Sequence, residues 1–254
     1  MTTSLDTAPT SDAPAPIAGE LSADVLEFVA TAKEQAEHAF RVLRQIGSIT
    51  ANGTVSGVER VPGHDLYLTL TYPGPFAVDQ TVTPSVVGLD GTVHLGDANA
   101  ARGFGFHRVL SAHPDITTVI HVHSPYLGAW SQTHRPLPIR YVPVQRDTLA
   151  REIPVYIDRR GSQVDFILDR LAEEIPPPAI LEANGGATVW GSGGFLATVE
   201  YIVLLEEGAQ LQLLAESLGG SQEYGPGVLR EQWTRFNGGA LGKRAEALGL
   251  LPTE

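Results

Sequence analysis

The sequence predicts a single α/β domain with helices packed on one sheet. Helix-type and strand-type patterns are mixed along the whole chain of 254 residues, a length that suits one large domain. Hydrophobic residues make up 43% of the chain and charged residues 18%, so a sizeable core can be buried. The chain shows no internal repeat, which argues against a repeat architecture.

The chain is predicted to have three parts. Residues 1–20 contain three prolines among small and polar residues and are expected to form a disordered tail. Residues 21–220 carry the strong helix and strand patterns and form the domain. Residues 221–254 are a C-terminal extension with turn residues and a weak final helix, and the sequence does not indicate where they pack.

The first half of the domain is predicted to contain two helices with strands between them. Ser22 can cap a helix whose apolar residues recur at helical spacing until Gly47. Residues 54–72 are β-rich because apolar and polar residues alternate, and residues 86–94 resemble a hairpin that turns at an Asp-Gly pair. A second helix is expected at 99–113, where a proline follows.

The second half is predicted to alternate strands and helices. A β-branched run predicts a strand at 117–123, and Pro125 suits the start of the next helix. Shorter apolar or amphipathic runs predict the remaining elements: strands at 139–144, 153–157, 179–182 and 187–190, a helix at 164–171 and a long helix at 199–218.

Composition excludes several classes of function. A net charge of −12 argues against nucleic acid or an anionic membrane as a partner. The chain has no cysteine, which excludes disulfides, thiolate nucleophiles and cysteine-bound metals. No apolar stretch approaches a membrane span, and the first residues lack the basic start of a signal peptide, so a cytoplasmic protein is expected.

The most specific local signal is the pair His121 and His123. Residues two apart on a strand point to the same face, so both imidazoles can reach one metal ion. The alternative is a pair of hydrogen-bonded structural histidines. Both residues lie at a predicted strand end, which favours a metal site.

Several blocks of sequence together resemble the class II aldolase/adducin family. They are His-Val-His-Ser-Pro-Tyr-Leu-Gly-Ala-Trp at 121–130 with the lead-in at 114–120, Gly-Thr-Val-Ser at 53–56, Ala-Thr-Val-Trp-Gly at 187–191, and Glu200 with Leu-Glu-Glu-Gly-Ala-Gln-Leu-Gln at 205–212. The resemblance covers roughly residues 25 to 218. It implies a class II aldolase-like α/β/α sandwich around one central sheet, a metal at His121 and His123, and a homotetramer.

The chain departs from the family pattern at positions that matter for sugar-phosphate cleavage. Gly185 stands where the family has its third metal histidine, and Gly103 stands where it has a catalytic glutamate. Thr54 and the pair 101–102 replace residues that hold phosphate. Such cleavage needs a Lewis acid and a carboxylate that moves protons, and glycine supplies neither.

A third metal ligand is expected if metal is retained, and two residues are candidates. His107 lies on the helix that brings the family's acid to the metal. Glu182 would complete a two-histidine, one-carboxylate set typical of iron(II) oxygenases, although strand alternation could turn it away. The alternative for His107 is a core helix histidine, and the alternative for Glu182 is a carboxylate that lies at the surface or contacts a metal ligand instead of the metal. His134 is expected to be too far away.

Substrate binding is assigned to residues that follow the histidine pair. Arg140 and Arg146 can grip a carboxylate, and Trp130 and Tyr141 can pack against a ring. The alternative for the polar patch from 140 to 146 is a solvated loop.

The absence of the third metal histidine, the catalytic glutamate and the phosphate-binding residues fits one branch of the family. The chain resembles the non-haem iron oxygenases of aminocoumarin antibiotic biosynthesis, which convert a prenylated 4-hydroxyphenylpyruvate to the prenylated 4-hydroxybenzoate. This resemblance implies Fe²⁺ as cofactor, and an aromatic acid and O₂ as substrates. A metal-dependent decarboxylase or aldolase acting on a non-phosphorylated aromatic acid is an alternative. A metal-free, adducin-like binding module is another.

Overall fold

The computed structural model describes residues 21–97, 99–100 and 104–251. The predicted tail at 1–20 and the departures at 101–102 and Gly103 lie outside the described residues. In the described part of the chain, no helix is both long enough and apolar enough to cross a membrane.

A mixed sheet forms the centre of the fold. Within the described residues its strands are β1 Val55–Arg60, β2 Leu66–Thr71, β3 Ser85–Gly88, β4 Val93–Leu95, β5 Thr118–Val122, β8 Val155–Tyr156, β9 Ala179–Glu182 and β10 Ala187–Gly191. They are ordered β4-β3-β2-β1-β5-β10-β9-β8. Neighbours are antiparallel except β8 and β9, which are parallel. Two short strands, β6 Leu137–Pro138 and β7 Glu152–Ile153, pair separately.

Helices cover both faces of this sheet. They are α1 Ala23–Gln45, α2 His107–Ala112, α3 Pro125–Ser131, α4 Val142–Gln145, α5 Gln163–Leu171, α6 Gly194–Glu216, α7 Pro226–Arg235 and α8 Ala240–Ala247, with a short 3₁₀ turn at Asn237–Gly239. The predicted α/β sandwich around one central sheet is therefore confirmed.

The central strand β5 shows how the two faces differ. Ile120 and Val122 point into the larger core, which contains apolar residues of α1 and α6. Val119 points the other way, into a second core with residues of α2 and α5. Because side chains alternate along a strand, His121 shares the face of Val119. The histidine pair therefore lies on the α2/α5 side of the sheet.

Two predicted elements are wrong. Within the described residues, the helix expected at 99–113 is present only as α2 from His107 to Ala112, and Gly105 just before it has a φ of +72°, which no right-handed helix contains. The strand expected at 139–144 is absent from the described structure, which has helix α4 there. A proline in the first turn of α4 suits a helix start and cannot donate a hydrogen bond within a sheet.

The C-terminal extension forms two helices with their own small core. Leu229 and Trp233 of α7 and Ala245 of α8 pack with Leu149, which lies before β7. The indole of Trp233 donates hydrogen bonds to the carbonyls of Gln145 and Thr148. The extension is thus attached to the segment between α4 and β7, a packing that the sequence did not indicate.

Candidate functional site

His121 and His123 lie side by side at the end of β5. Their ring centroids are 4.8 Å apart and the rings are nearly perpendicular. The backbone N–H of His123 donates to the carbonyl of Thr54 and so continues the pairing of β5 with β1. Two flanking strands thus hold the backbone that carries both imidazoles.

A polar network on the neighbouring strands holds His121. Its Nδ1 is 2.7 Å from Oε1 of Glu182 and 3.2 Å from Oγ1 of Thr188. Thr188 also donates to Glu182, and the side-chain amide of Gln163 lies 2.6 Å from the same carboxylate oxygen. Glu182 is 6% exposed, so its charge is satisfied by these groups rather than by bulk water.

Charges inside the network favour an ionised Glu182 and a neutral His123. Burial opposes ionisation of Glu182. Even so, the hydrogen bond and charge of His121, together with Thr188 and the charge of Arg159, lower the pKa of its carboxyl. Burial, His121 and Arg159 lower the pKa of His123. A neutral imidazole is the form that binds metal.

The histidine pair opens into a cavity of about 710 Å³. Two half-exposed apolar side chains, Phe104 and Ile157, lie on its wall, and the ring of Phe104 is 5.3 Å from that of His121. The described lining residues are Thr54, Phe104, His121, His123, His134, Ile157, Arg159, Gln163, Glu182, Ala183, Asn184 and Gly185. The cavity therefore combines apolar wall with imidazole and guanidinium groups.

The described side chains at this site supply two of the ligands that a divalent metal needs, and no third. When Glu182 accepts the Nδ1 proton of His121, Nε2 of that ring is left with a lone pair, an arrangement common behind metal-bound histidines. Across residues 21–97, 99–100 and 104–251, however, no three His, Asp or Glu side chains form a metal-binding group. His121 and His123 can hold a metal whose other ligands come from substrate and water.

Within the described residues, neither predicted third ligand forms a three-residue metal-binding group with His121 and His123. The ring of His107 stacks on Tyr67 at 5.8 Å and lines a neighbouring cavity of about 350 Å³, so its assignment as a ligand is not supported. Glu182 faces the site, contrary to the concern about strand alternation, because the lost histidine position belongs to the following turn and not to β9. Its carboxylate binds His121 from behind.

The four predicted substrate-binding residues lie elsewhere in the chain. Trp130 is 2% exposed and its indole donates to the carbonyl of Arg135, so it is a core residue. Arg140 pairs with Glu223, Tyr141 donates to Glu207, and Arg146 binds Gln232 and the Phe236 ring. The three residues after α3 therefore contact α6 and the C-terminal extension.

The sequence does not assign two polar residues that lie at the cavity. It predicts that His134 is too far from the metal site to act, yet His134 lines the cavity and its Nε2 is 2.7 Å from Oδ1 of Asn184. Arg159 lies in the turn after β8, and only the parallel pairing of β8 with β9 brings it beside the histidines. No local sequence signal reveals that pairing.

Glu206 of α6 anchors the chain that follows His123. Its carboxylate accepts hydrogen bonds from the hydroxyl of Ser124 and from the backbone N–H groups of Tyr126 and Leu127. The two backbone N–H groups lie in the first turn of α3, where backbone donors have no partner within the helix. A negative charge is favourable at this helix start. This buried contact holds the end of β5 in place against the long helix.

Comparison with known proteins agrees with this geometry. Residues 35–213 match the model of the class II aldolase and adducin N-terminal domain. No match was found among curated proteins.

Solved structures share the fold. An L-fuculose 1-phosphate aldolase from Glaciozyma antarctica PI12 is 21% identical, with 91% of this chain and 92% of that chain covered and a TM-score of 0.64. YgbL from Klebsiella pneumoniae, described as a putative aldolase/epimerase/decarboxylase, is 25% identical, with 73% and 89% covered and a TM-score of 0.56. Since the family model spans most of the domain, the chain belongs to the class II aldolase/adducin family.

Proposed function

We propose that the chain is a metal-dependent enzyme that acts on an aromatic carboxylic acid without phosphate. With iron(II) and O₂, it would oxidatively shorten the side chain of a 2-oxo or 2-hydroxy acid. The observation that carries this proposal concerns Glu182. It is the only carboxylate among the described lining residues, and it is bound to His121, Thr188 and Gln163. All three contacts are made to Oε1, so that oxygen is poorly placed to move protons on a substrate.

The family and the donor set support metal dependence. Class II aldolases typically depend on a divalent metal, usually zinc. In this chain His121 and His123 would hold the ion, and the substrate's own 2-oxo or 2-hydroxy carboxylate would complete its ligands. Iron(II) in that place would supply the redox chemistry that lets O₂ react with an organic acid. The assignment of iron rather than zinc is part of the proposal.

The cavity wall suits an aromatic acid. Phe104 and Ile157 are each about half exposed, and both line the cavity, so an aromatic ring packed on them would remove apolar surface from water. The early turn that would hold phosphate carries Thr54, whose N–H and hydroxyl both lie against the side chain of Asn52. These groups are occupied within the turn, which supports a substrate without phosphate.

The proposed chemistry balances as two oxidative decarboxylations. In the first, an arylpyruvate and one O₂ give an arylhydroxyacetate and one CO₂. In the second, the arylhydroxyacetate and another O₂ give an arylcarboxylate, CO₂ and water. O₂ is the oxidant in both steps and the organic acid supplies the electrons, so no external reductant is needed.

A second candidate is a metal-dependent decarboxylase or aldolase on the same class of acid. It is favoured by the structural likeness to YgbL and by the fact that decarboxylation needs no carboxylate base. The adducin-like binding module is disfavoured by the imidazole pair, which a module without metal would not need. Class II aldolase homologues are often tetramers, and we propose a homotetramer for this chain as well.

Oxygen consumption separates these functions. Full-length protein, freed of metal and reloaded anaerobically with iron(II), is incubated with arylpyruvates and arylhydroxyacetates, and O₂ uptake and products are measured. The proposal predicts one O₂ consumed per CO₂ released, and no turnover with zinc. Equal turnover under strict anaerobiosis would reject oxygenase chemistry in favour of the decarboxylase or aldolase. Absence of any metal binding would instead favour the binding module.

A further inference from the structure

Arg159 lines the cavity, and its guanidinium forms no salt bridge within the described residues. Its Nη2 donates to the carbonyl of Ala183 at 3.0 Å, and Arg159 forms no ion pair with any carboxylate of the described residues. The next residue, Arg160, behaves differently, because it makes two hydrogen bonds of 2.8 Å to its neighbour Asp158. Two adjacent arginines therefore differ in that one is paired and the other faces the histidines.

Gly185 leaves the space that this guanidinium occupies. A Cβ built on Gly185 would lie 3.2 Å from Nη2 of Arg159 and 3.3 Å from the carbonyl oxygen of Glu182. Both contacts are tighter than side chains normally accept. Any larger residue at position 185 would therefore push the guanidinium away from its present place.

Arg159 is exposed, and no hydrogen bond joins it to a carboxylate of the described residues. The nearest carboxylate of the cavity, Glu182, has its hydrogen bonds with His121, Thr188 and Gln163. The other polar groups of the lining include His123, His134 and the amide of Asn184, none of which is an anion. A guanidinium carries five N–H donors in a planar fork, which matches a carboxylate in a two-bond arrangement.

We propose that Arg159 binds the carboxylate of the ligand that occupies this cavity, and that Gly185 is required as the residue that makes room for it. The role of Arg159 rests on the proposed function in one respect: if that function is correct, the ligand is the aromatic acid substrate. A single fork suits one carboxylate, whereas a phosphate dianion would call for further donors. Phe104 and Ile157 on the wall would take the ring of such an acid.

The test measures binding rather than turnover, on full-length metal-free protein. The probes are phenylacetate and phenylacetamide, which share size and ring but differ in charge, and their affinities are measured by calorimetry or ligand NMR. Wild-type protein should prefer phenylacetate. Arg159→Met should weaken phenylacetate binding roughly 10- to 100-fold, as expected for a lost charge-assisted hydrogen bond, while phenylacetamide binding stays the same.

Arg160→Met is the matched control, since it removes the same charge from the next position, and it should change phenylacetate binding less than about twofold. Gly185→Ala keeps the guanidinium but crowds it, and should weaken phenylacetate binding as well. The inference is overturned if Arg159→Met binds phenylacetate as the wild type does, or if the wild type shows no preference for the acid. These binding measurements do not depend on iron or O₂, so they can be interpreted even if the oxygenase assay fails.

Discussion

Two regions of the molecule carry arginines next to aromatic rings, and they differ in how those arginines are paired. In the C-terminal arginine cluster, Arg140, Arg146 and Arg151, each guanidinium has a partner supplied by the extension, namely Glu223, Gln232 or the Phe236 ring. In the cavity beside the histidines, Arg159 contacts only a backbone carbonyl of the described chain. Residue type alone does not distinguish the two sets of arginines, but their pairing in the structure does.

The difference has a physical cause. The extension packs its helices against the segment after α4, so the arginines of that segment become part of an interface within the chain. Arg151 also lies 5.9 Å from the ring of the buried Trp233. Paired arginines of this kind stabilise the attachment of a helix pair, whereas an arginine without an anion beside an open cavity is able to bind a ligand.

The largest expected effect comes from removing the residue that joins the extension to the domain. Trp233→Ala should lower the free energy of unfolding by about 3–5 kcal/mol, because a fully packed ring and its indole hydrogen bonds are lost. Denaturant unfolding measures this, and metal binding by the folded protein at low temperature should be unchanged. A loss below about 1 kcal/mol would mean that the extension is not integral to the fold. It would contradict the view that the arginines paired with the extension serve to attach it.

An intermediate effect is expected at the carboxylate that anchors the chain after His123. Glu206→Gln replaces one acceptor oxygen by an amide donor, so a buried N–H or hydroxyl of the α3 start loses its partner. The free energy of unfolding should fall by about 1.5–3 kcal/mol. Glu207→Gln, at an exposed adjacent position, should change it by less than about 0.5 kcal/mol. Equal effects of the two substitutions would show that this anchor is unimportant.

The smallest effect concerns a buried carboxylate with fewer partners than Glu182. Glu59 accepts a hydrogen bond from the N–H of Phe195, and its other carboxylate oxygen has no partner in the described structure. Burial raises the pKa of Glu59, outweighing that bond. The neutral acid is therefore favoured in the folded state, and the stability it contributes is lost as the pH rises from the ordinary glutamate range through the raised pKa.

Glu59→Gln should therefore gain stability relative to the wild type as the pH rises through that range, because a neutral amide keeps the acceptor without the buried charge. Urea unfolding of both proteins between pH 4 and pH 8 checks this. A stability difference that does not change with pH would contradict the direction of the shift.

Much of the fold was predictable, because periodicity and capping act locally. The predicted helix from Ser22 to Gly47 corresponds to α1, and the hairpin at 86–94 to β3 and β4. Two elements failed where a single residue overrode the apolar pattern: a left-handed glycine at 105 and a proline in the first turn of α4.

The site was only half predictable. His121 lies in β5 and His123 directly follows its last residue, so their proximity follows from the alternation of side chains that the sequence predicts. Arg159 reaches them only through the pairing of β8 with β9, and the pairing of Arg146 with the extension joins residues 86 positions apart. Such long-range contacts leave no local pattern, which explains why the sequence pointed to Arg140 and Arg146 and not to Arg159.

Metal content of three proteins tests the central claim most directly. After dialysis against a chelator and reloading with zinc or iron(II), wild-type protein should retain one divalent ion per chain by elemental analysis. His107→Ala should retain it too, because His107 faces the neighbouring cavity. The double variant His121→Ala/His123→Ala should retain none. Metal retained by the double variant, or lost on His107→Ala alone, would contradict the placement of the metal at the end of β5.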